Sequence, residues 1–143
     1  MDPYANKMFS KDPYYKKIDL VSHVVAILDA TVEKRGLEII QPPTRVVNKD
    51  EVHELILTDQ TTLSEDRRVD RIAYLAFVCF ENSGVLQRGD KLIFGDVEIG
   101  TILGFDEAHL PNHQNIVLHT NNLQTGREWG LNLHAQLVFH KPE

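Results

Sequence analysis

Between Gly104 and Asn115 the chain reads GFDEAHLPNHQN. Six side chains in that stretch can coordinate, hydrogen-bond or move a proton: Asp106, Glu107, His109, Asn112, His113 and Asn115. His109 and His113 stand four apart, the spacing that puts two imidazoles on one helix face. Pro111 lies between them and argues against a regular helix. A loop can still converge two imidazoles and a carboxylate on a borderline divalent ion such as zinc, manganese, iron or nickel. The expected ligands are then Asp106, His109 and His113, with His119 on the following strand as a further donor. Glu107 would be the general base of a metal-dependent enzyme.

The same groups also suit a polar pocket for a sugar or another metabolite, with Trp129 stacking on the ligand or closing one end of the fold. This small-molecule binding module is the favoured reading, and the metal-dependent enzyme is the alternative. A third reading is a structural or regulatory subunit without a small ligand. Against all three stands a plain one, because Asp and Asn cap turns and loop histidines are often only solvated. No Gly-x-Ser-x-Gly elbow, phosphate-cradling Gly-rich loop or His-Glu-x-x-His occurs, so a serine hydrolase, nucleotide triphosphatase or classical metalloprotease is unsupported. His53 and Glu54, in VHELIL, read as the outward face of a short strand. His134 and His140 alternate with apolar neighbours and are expected to be exposed. Arg88-Gly89-Asp90 reads as a turn.

These residues must be held by short strands. Leu37 to Ile40, Thr44 to Val47, Val52 to Leu57 and Lys91 to Phe94 are apolar runs bounded by Pro, Gly and Asp turn signals. Val69 to Phe80 is apolar on both alternating faces from Ile72 onward, as in a strand covered on two sides. From Val97 to Phe105 the odd positions form an inward face, and Gly100 and Gly104 mark bulges or bends. Asn115 to Thr120 is another strand. The clearest alternation is Leu131, Leu133, Ala135, Leu137 and Phe139. Residues 18–33 fit two patterns. Ile18, Val21, Val25, Leu28 and Val32 make a helix stripe, while the even positions, interrupted only by Ser22, are apolar with period two. A strand from about Val21 to Val32 is favoured, with an N-terminal helix as the alternative. The fold class is therefore mainly all-β, a small closed or partly open β-barrel. Residues 1–15 read as an irregular arm and 16–143 as a single barrel domain.

A chain of 143 residues with 42% hydrophobic and 25% charged residues suits one globular domain. The net charge of −6 gives no whole-surface attraction to nucleic acid or anionic lipid. One cysteine, Cys79, excludes an intrachain disulfide and reads as a small core residue. No signal-like or membrane-spanning run is present, so a soluble cytoplasmic protein is expected. The doubly apolar strand and the aromatic arm both want cover, which predicts a homo-oligomer.

From about Ala76 to Asn121 the chain resembles the sorbitol-specific IIA component of bacterial sugar phosphotransferase systems. The features that carry the resemblance are the strand Ala76-Phe77-Val78-Cys79-Phe80, the turn Arg88-Gly89-Asp90, a strand pair ending at Gly104, and a loop before Asn115-Ile116-Val117-Leu118. The resemblance implies a small bacterial β-barrel. Phosphotransfer in that family needs a histidine, expected near Val78-Cys79-Phe80, and none stands there. Where the family carries Gly-His before a strand, this chain has Gln114-Asn115. The barrel carries over and the phosphotransfer does not.

Overall fold

The computed structural model describes residues 18–61, 63 and 65–142. The expected arm at 1–15 lies outside them. The described residues form twelve strands and no helix: β1 (Leu20–Ile27), β2 (Thr31–Val32), β3 (Leu37–Glu38), β4 (Thr44–Val47), β5 (Val52–Thr58), β6 (Arg68–Val69), β7 (Ile72–Phe80), β8 (Gly84–Gln87), β9 (Lys91–Phe94), β10 (Val97–Asp106), β11 (Asn115–His119) and β12 (Gln136–His140). The all-β expectation holds. No helix among them is long and apolar enough to cross a membrane. In residues 18–33 the period-two pattern wins. Leu20, Ser22 and Val24 are buried, whereas Ile18 and Val25 from the helix stripe are exposed.

Seven strands pair into a closed ring in the order β1, β12, β9, β10, β11, β5, β7 and back to β1. Every neighbouring pair is antiparallel except β11 with β5, which run parallel with Asn115 opposite Glu54. β2 adds to β7, and two small ribbons, β3 with β6 and β4 with β8, lie outside the ring.

Side-chain alternation divides these strands between two cores. Leu55, Leu57, Ile116, Leu118, Leu92, Leu137 and Phe139 point into the ring, where Phe80 stacks on Phe139 at 5.6 Å. Ile56, Val117 and Ile72 point outward and are covered by Leu37, Ile39 and Val69. The outward side of β7 is thus packed by the chain itself at Ile72 and Tyr74, while Phe77 and Cys79 further along are half-buried. Cys79 is half-buried, and burial, then Asp50 and Glu81, push its thiol pKa up.

Two expectations about alternation are corrected. In β10 the pairing slips twice, between Glu98 and Gly100 and between Ile102 and Gly104. Each bulge adds a residue and flips the face, so Ile99, Ile102 and Phe105 enter the ring core while Val97 is exposed and Leu103 joins the outer cluster. A Cβ at Gly104 would run into Ile39, so the second bulge also lets the covering segment sit close. The pattern at 131–139 is only half a strand. β12 begins at Gln136, Leu133 is exposed, and His134 adopts a φ of 67° in a turn. A turn stabilised by Ala135 N donating to the Asn132 carbonyl replaces the expected ladder there.

Asp90, in the turn before β9, is fully buried. Its Oδ2 accepts from Lys141 Nζ at 2.5 Å and from Gln87 N at 2.9 Å, and Lys141 also donates to the Val85 carbonyl. Burial pushes the Asp90 carboxyl up, against the pull of Lys141 and Gln87. Arg88-Gly89-Asp90 is a structural turn.

Candidate functional site

The loop between β10 and β11 is tied down at its base by Asp106. This residue is 3% exposed. Its Oδ2 accepts from Glu38 N at 2.8 Å, and its Oδ1 accepts from Ala108 N at 2.9 Å and Asn115 Nδ2 at 3.0 Å. Beyond it the backbone curls: Leu110 N donates to the Glu107 carbonyl, and Asn112 N and His113 N both donate to the His109 carbonyl. The peptide Leu110-Pro111 is cis. The His113 N to His109 carbonyl bond is a single i to i+4 bond across Pro111 without any helix, and the His109 and His113 ring centres lie 4.9 Å apart.

His113 turns inward, with its side chain 10% exposed. Its Nδ1 accepts from Asn112 Nδ2 at 2.8 Å, which assigns the proton to Nε2 and lets it donate to Glu54 Oε1 at 3.0 Å. The edge of Phe77 meets the same ring at 5.0 Å. Glu54 lies on the outward side of β5, in phase with Ile56, yet its side chain is only 8% exposed because the loop covers it. One ligand atom each from Glu54, His109 and His113 lies within 4.8 Å of the others. His109, at the solvent side, is approached by Arg35 Nη2 at 3.4 Å, and Arg35 Nε donates to the Tyr74 hydroxyl at 2.9 Å.

The floor is braced by His53, which points the other way, into the ring beside Phe80 at 6.1 Å. Its Nδ1 accepts from Gln114 N at 3.0 Å and its Nε2 donates to Glu51 Oε1 at 2.7 Å. Burial pushes its pKa down, against the Glu51 hydrogen bond that pulls it up, so the imidazole is held neutral. His53 and Glu54 were both expected on an outward, wet strand face. The structure buries both, one on each side of the strand.

The expected site residues fall into four groups. His109 and His113 come together, with Asn112 orienting the second ring. Asp106 and Asn115 bond each other at the loop base, and the Asp106 oxygens are engaged there by three donors. Glu107 is exposed and is approached by Gln114 Nε2 at 3.4 Å. His119 and Trp129 lie at the other end of β11, around a separate cavity of about 90 Å³ that also involves Thr101, Asn121 and Asn122. The carboxylate among the converging atoms comes from Glu54. A charged residue inside the apolar run VHELIL was its one signal in the sequence, but the parallel pairing of β5 with β11 that brings it under His113 leaves no local trace.

The chain belongs to a family of unknown function, DUF6917, whose model matches residues 14–140. No curated protein and no solved structure matches it.

Proposed function

We propose that Glu54, His109 and His113 hold a divalent metal ion, and that the protein uses this centre to bind a small molecule. The observation that carries this reading is the convergence of one carboxylate and two imidazoles within 4.8 Å, two of the three nearly buried. A buried carboxylate is costly unless it is compensated. The His113 imidazole compensates Glu54 through one hydrogen bond, whereas a dication would do so through charge. Two nitrogens and one oxygen suit zinc, iron, manganese or nickel. Three protein ligands leave at least one position for water or a ligand, as in catalytic rather than closed structural sites. With a metal on Nε2, His113 would carry its proton on Nδ1, and Asn112, with its amide turned to present Oδ1, would accept it and orient the ring. His119 and Trp129 belong to the other cavity and have no part in this centre.

The test is the metal content of the purified, untagged protein by elemental mass spectrometry, before and after incubation with zinc or manganese. About one ion per chain, lost in the His109→Ala/His113→Ala double variant, is the expected result. No ion above background in the wild type after incubation would overturn the reading and leave Glu54 and His113 as a buried structural pair.

A further inference from the structure

A cation stands beside this cluster, and among the described residues no carboxylate pairs with it directly. Arg35 is half-buried in the connection between β2 and β3. Its backbone N donates to the Asp70 carbonyl at 2.9 Å, and its Nε is fixed by the Tyr74 hydroxyl. Among the described residues no carboxylate lies within ion-pair distance of its guanidinium. The nearby Asp70 side chain is engaged by Arg68 Nε at 2.8 Å and by Gly36 N. The one remaining contact is Nη2 to His109 Nε2, at 3.4 Å a long one. An arginine anchored at backbone and Nε, with its fork turned to an imidazole instead of an acid, is placed to receive an oxyanion.

We propose that Arg35 is the anion-binding half of the site, and that it and the metal ion together take a small oxyanion of two negative charges, a phosphonate or phosphate group or a short dicarboxylate. This inference rests on the metal reading of Glu54, His109 and His113. Charge counting supports it. Without metal, Glu54 and Arg35 balance. With a dication present, Glu54 offsets one of its charges and Arg35 adds another, so two positive charges remain uncompensated. An ion that takes the lone pair of His109 Nε2 also removes the acceptor that Arg35 Nη2 now faces. The freed guanidinium then stands beside a cation of like sign, and an anion bridging the two relieves the repulsion. An open cavity of about 320 Å³ is lined by Gly36, Glu38, Ile40, Asp106, Glu107 and Ala108, which include the sequence neighbours of Arg35 and His109 but neither residue itself. The exposed Glu38 and Glu107 on its rim disfavour further anionic groups there.

The experiment uses cobalt(II)-loaded protein and follows its visible spectrum during titration with methylphosphonate and with malonate, with dialysis controls showing that cobalt stays on the protein. Both anions are expected to shift the wild-type bands. Arg35→Ala is expected to weaken both at least tenfold while cobalt affinity is unchanged or tighter. Arg35→Lys, which keeps the charge and loses the fork, is expected to fall between. Arg35→Ala that binds both anions as tightly as wild type, or a wild-type spectrum that neither anion moves, would overturn the inference and leave the metal reading standing. A wild type that takes up no cobalt would overturn the metal reading, and this inference with it.

Discussion

Among the described residues, two of the buried acidic side chains, Asp90 and Glu54, are each paired with a basic side chain, and they are compensated in different ways. Asp90 is sealed under the turn between β8 and β9 against Lys141, a fixed cation at 2.5 Å. Glu54 lies under the loop between β10 and β11 against His113, an imidazole at 3.0 Å whose partner ring reaches solvent. The first arrangement is closed on itself: the lysine donates to the acid and to a backbone carbonyl, and both side chains are out of water. The second uses an imidazole next to an exposed second one, His109, the arrangement on which the proposed metal centre rests. Burial alone therefore does not mark a functional acid. What distinguishes the two is whether the partner is permanently charged and whether the pair has an open side.

The contrast is broken most easily at Lys141. Replacement by Met strands the Asp90 charge, and a loss of about 3–5 kcal/mol in unfolding free energy is expected, because removing one member of a buried pair leaves the other uncompensated. Urea denaturation measures it, and metal content should be untouched. Glu54→Gln should show the reverse pattern. It keeps the shape and can still hydrogen-bond His113, so stability should change by about 1 kcal/mol, while metal affinity falls at least tenfold on loss of the only anionic ligand. Isothermal titration with zinc would show this, and equal zinc affinity in Glu54→Gln and wild type would erase the distinction.

Proton linkage sharpens the comparison. Burial raises the Asp90 carboxyl above its ordinary value of 3.8. In that window the folded state holds the proton more tightly than the unfolded chain. The contribution of Asp90 to stability is thus fully present below 3.8 and is lost as pH rises through its folded pKa. Asp90→Asn should therefore gain stability relative to wild type as pH rises from about that value, then level off. Parallel urea titrations over acidic pH check the slope, and a difference that stays flat would show that Lys141 cancels the burial effect. The smallest effect is expected at Val46, exposed on the β4 ribbon: Val46→Thr should change stability by less than about 0.5 kcal/mol and leave metal binding alone.

Local patterns carried much of the strand list. Thr44 to Val47 and Lys91 to Phe94 were legible to the residue, since turn signals bound both. The double cover of β7 at Ile72 and Tyr74 was legible too, although the sequence did not say that Leu37, Ile39 and Val69 of the same chain supply it. Alternation misled where the backbone leaves the sheet. Leu131 and Leu133 keep the period, but the chain turns between them and Leu133 ends in solvent. It misled again in β10, because a bulge shifts phase without changing composition. At the site, His109 and His113 declared themselves by spacing. Glu54 did not, because its place beside them depends on a parallel pairing between strands far apart in the chain. Arg35 and Tyr74 were hidden for the same reason.

Ring closure also bears on how the molecule forms. Leu20 pairs with Phe139 and Ser22 with Leu137, so the two strands that complete the circle come from opposite ends of the described chain. The parallel partners β5 and β11 are likewise widely separated. Such contacts give no reward until a long loop has been closed, and chains dominated by them fold on the millisecond-to-second scale rather than in microseconds. Glu54 and His113 meet across one of these late contacts. The acid and the imidazole that define the site are brought together only as the circle forms, so the capacity to hold an ion should appear with the native state and not before it.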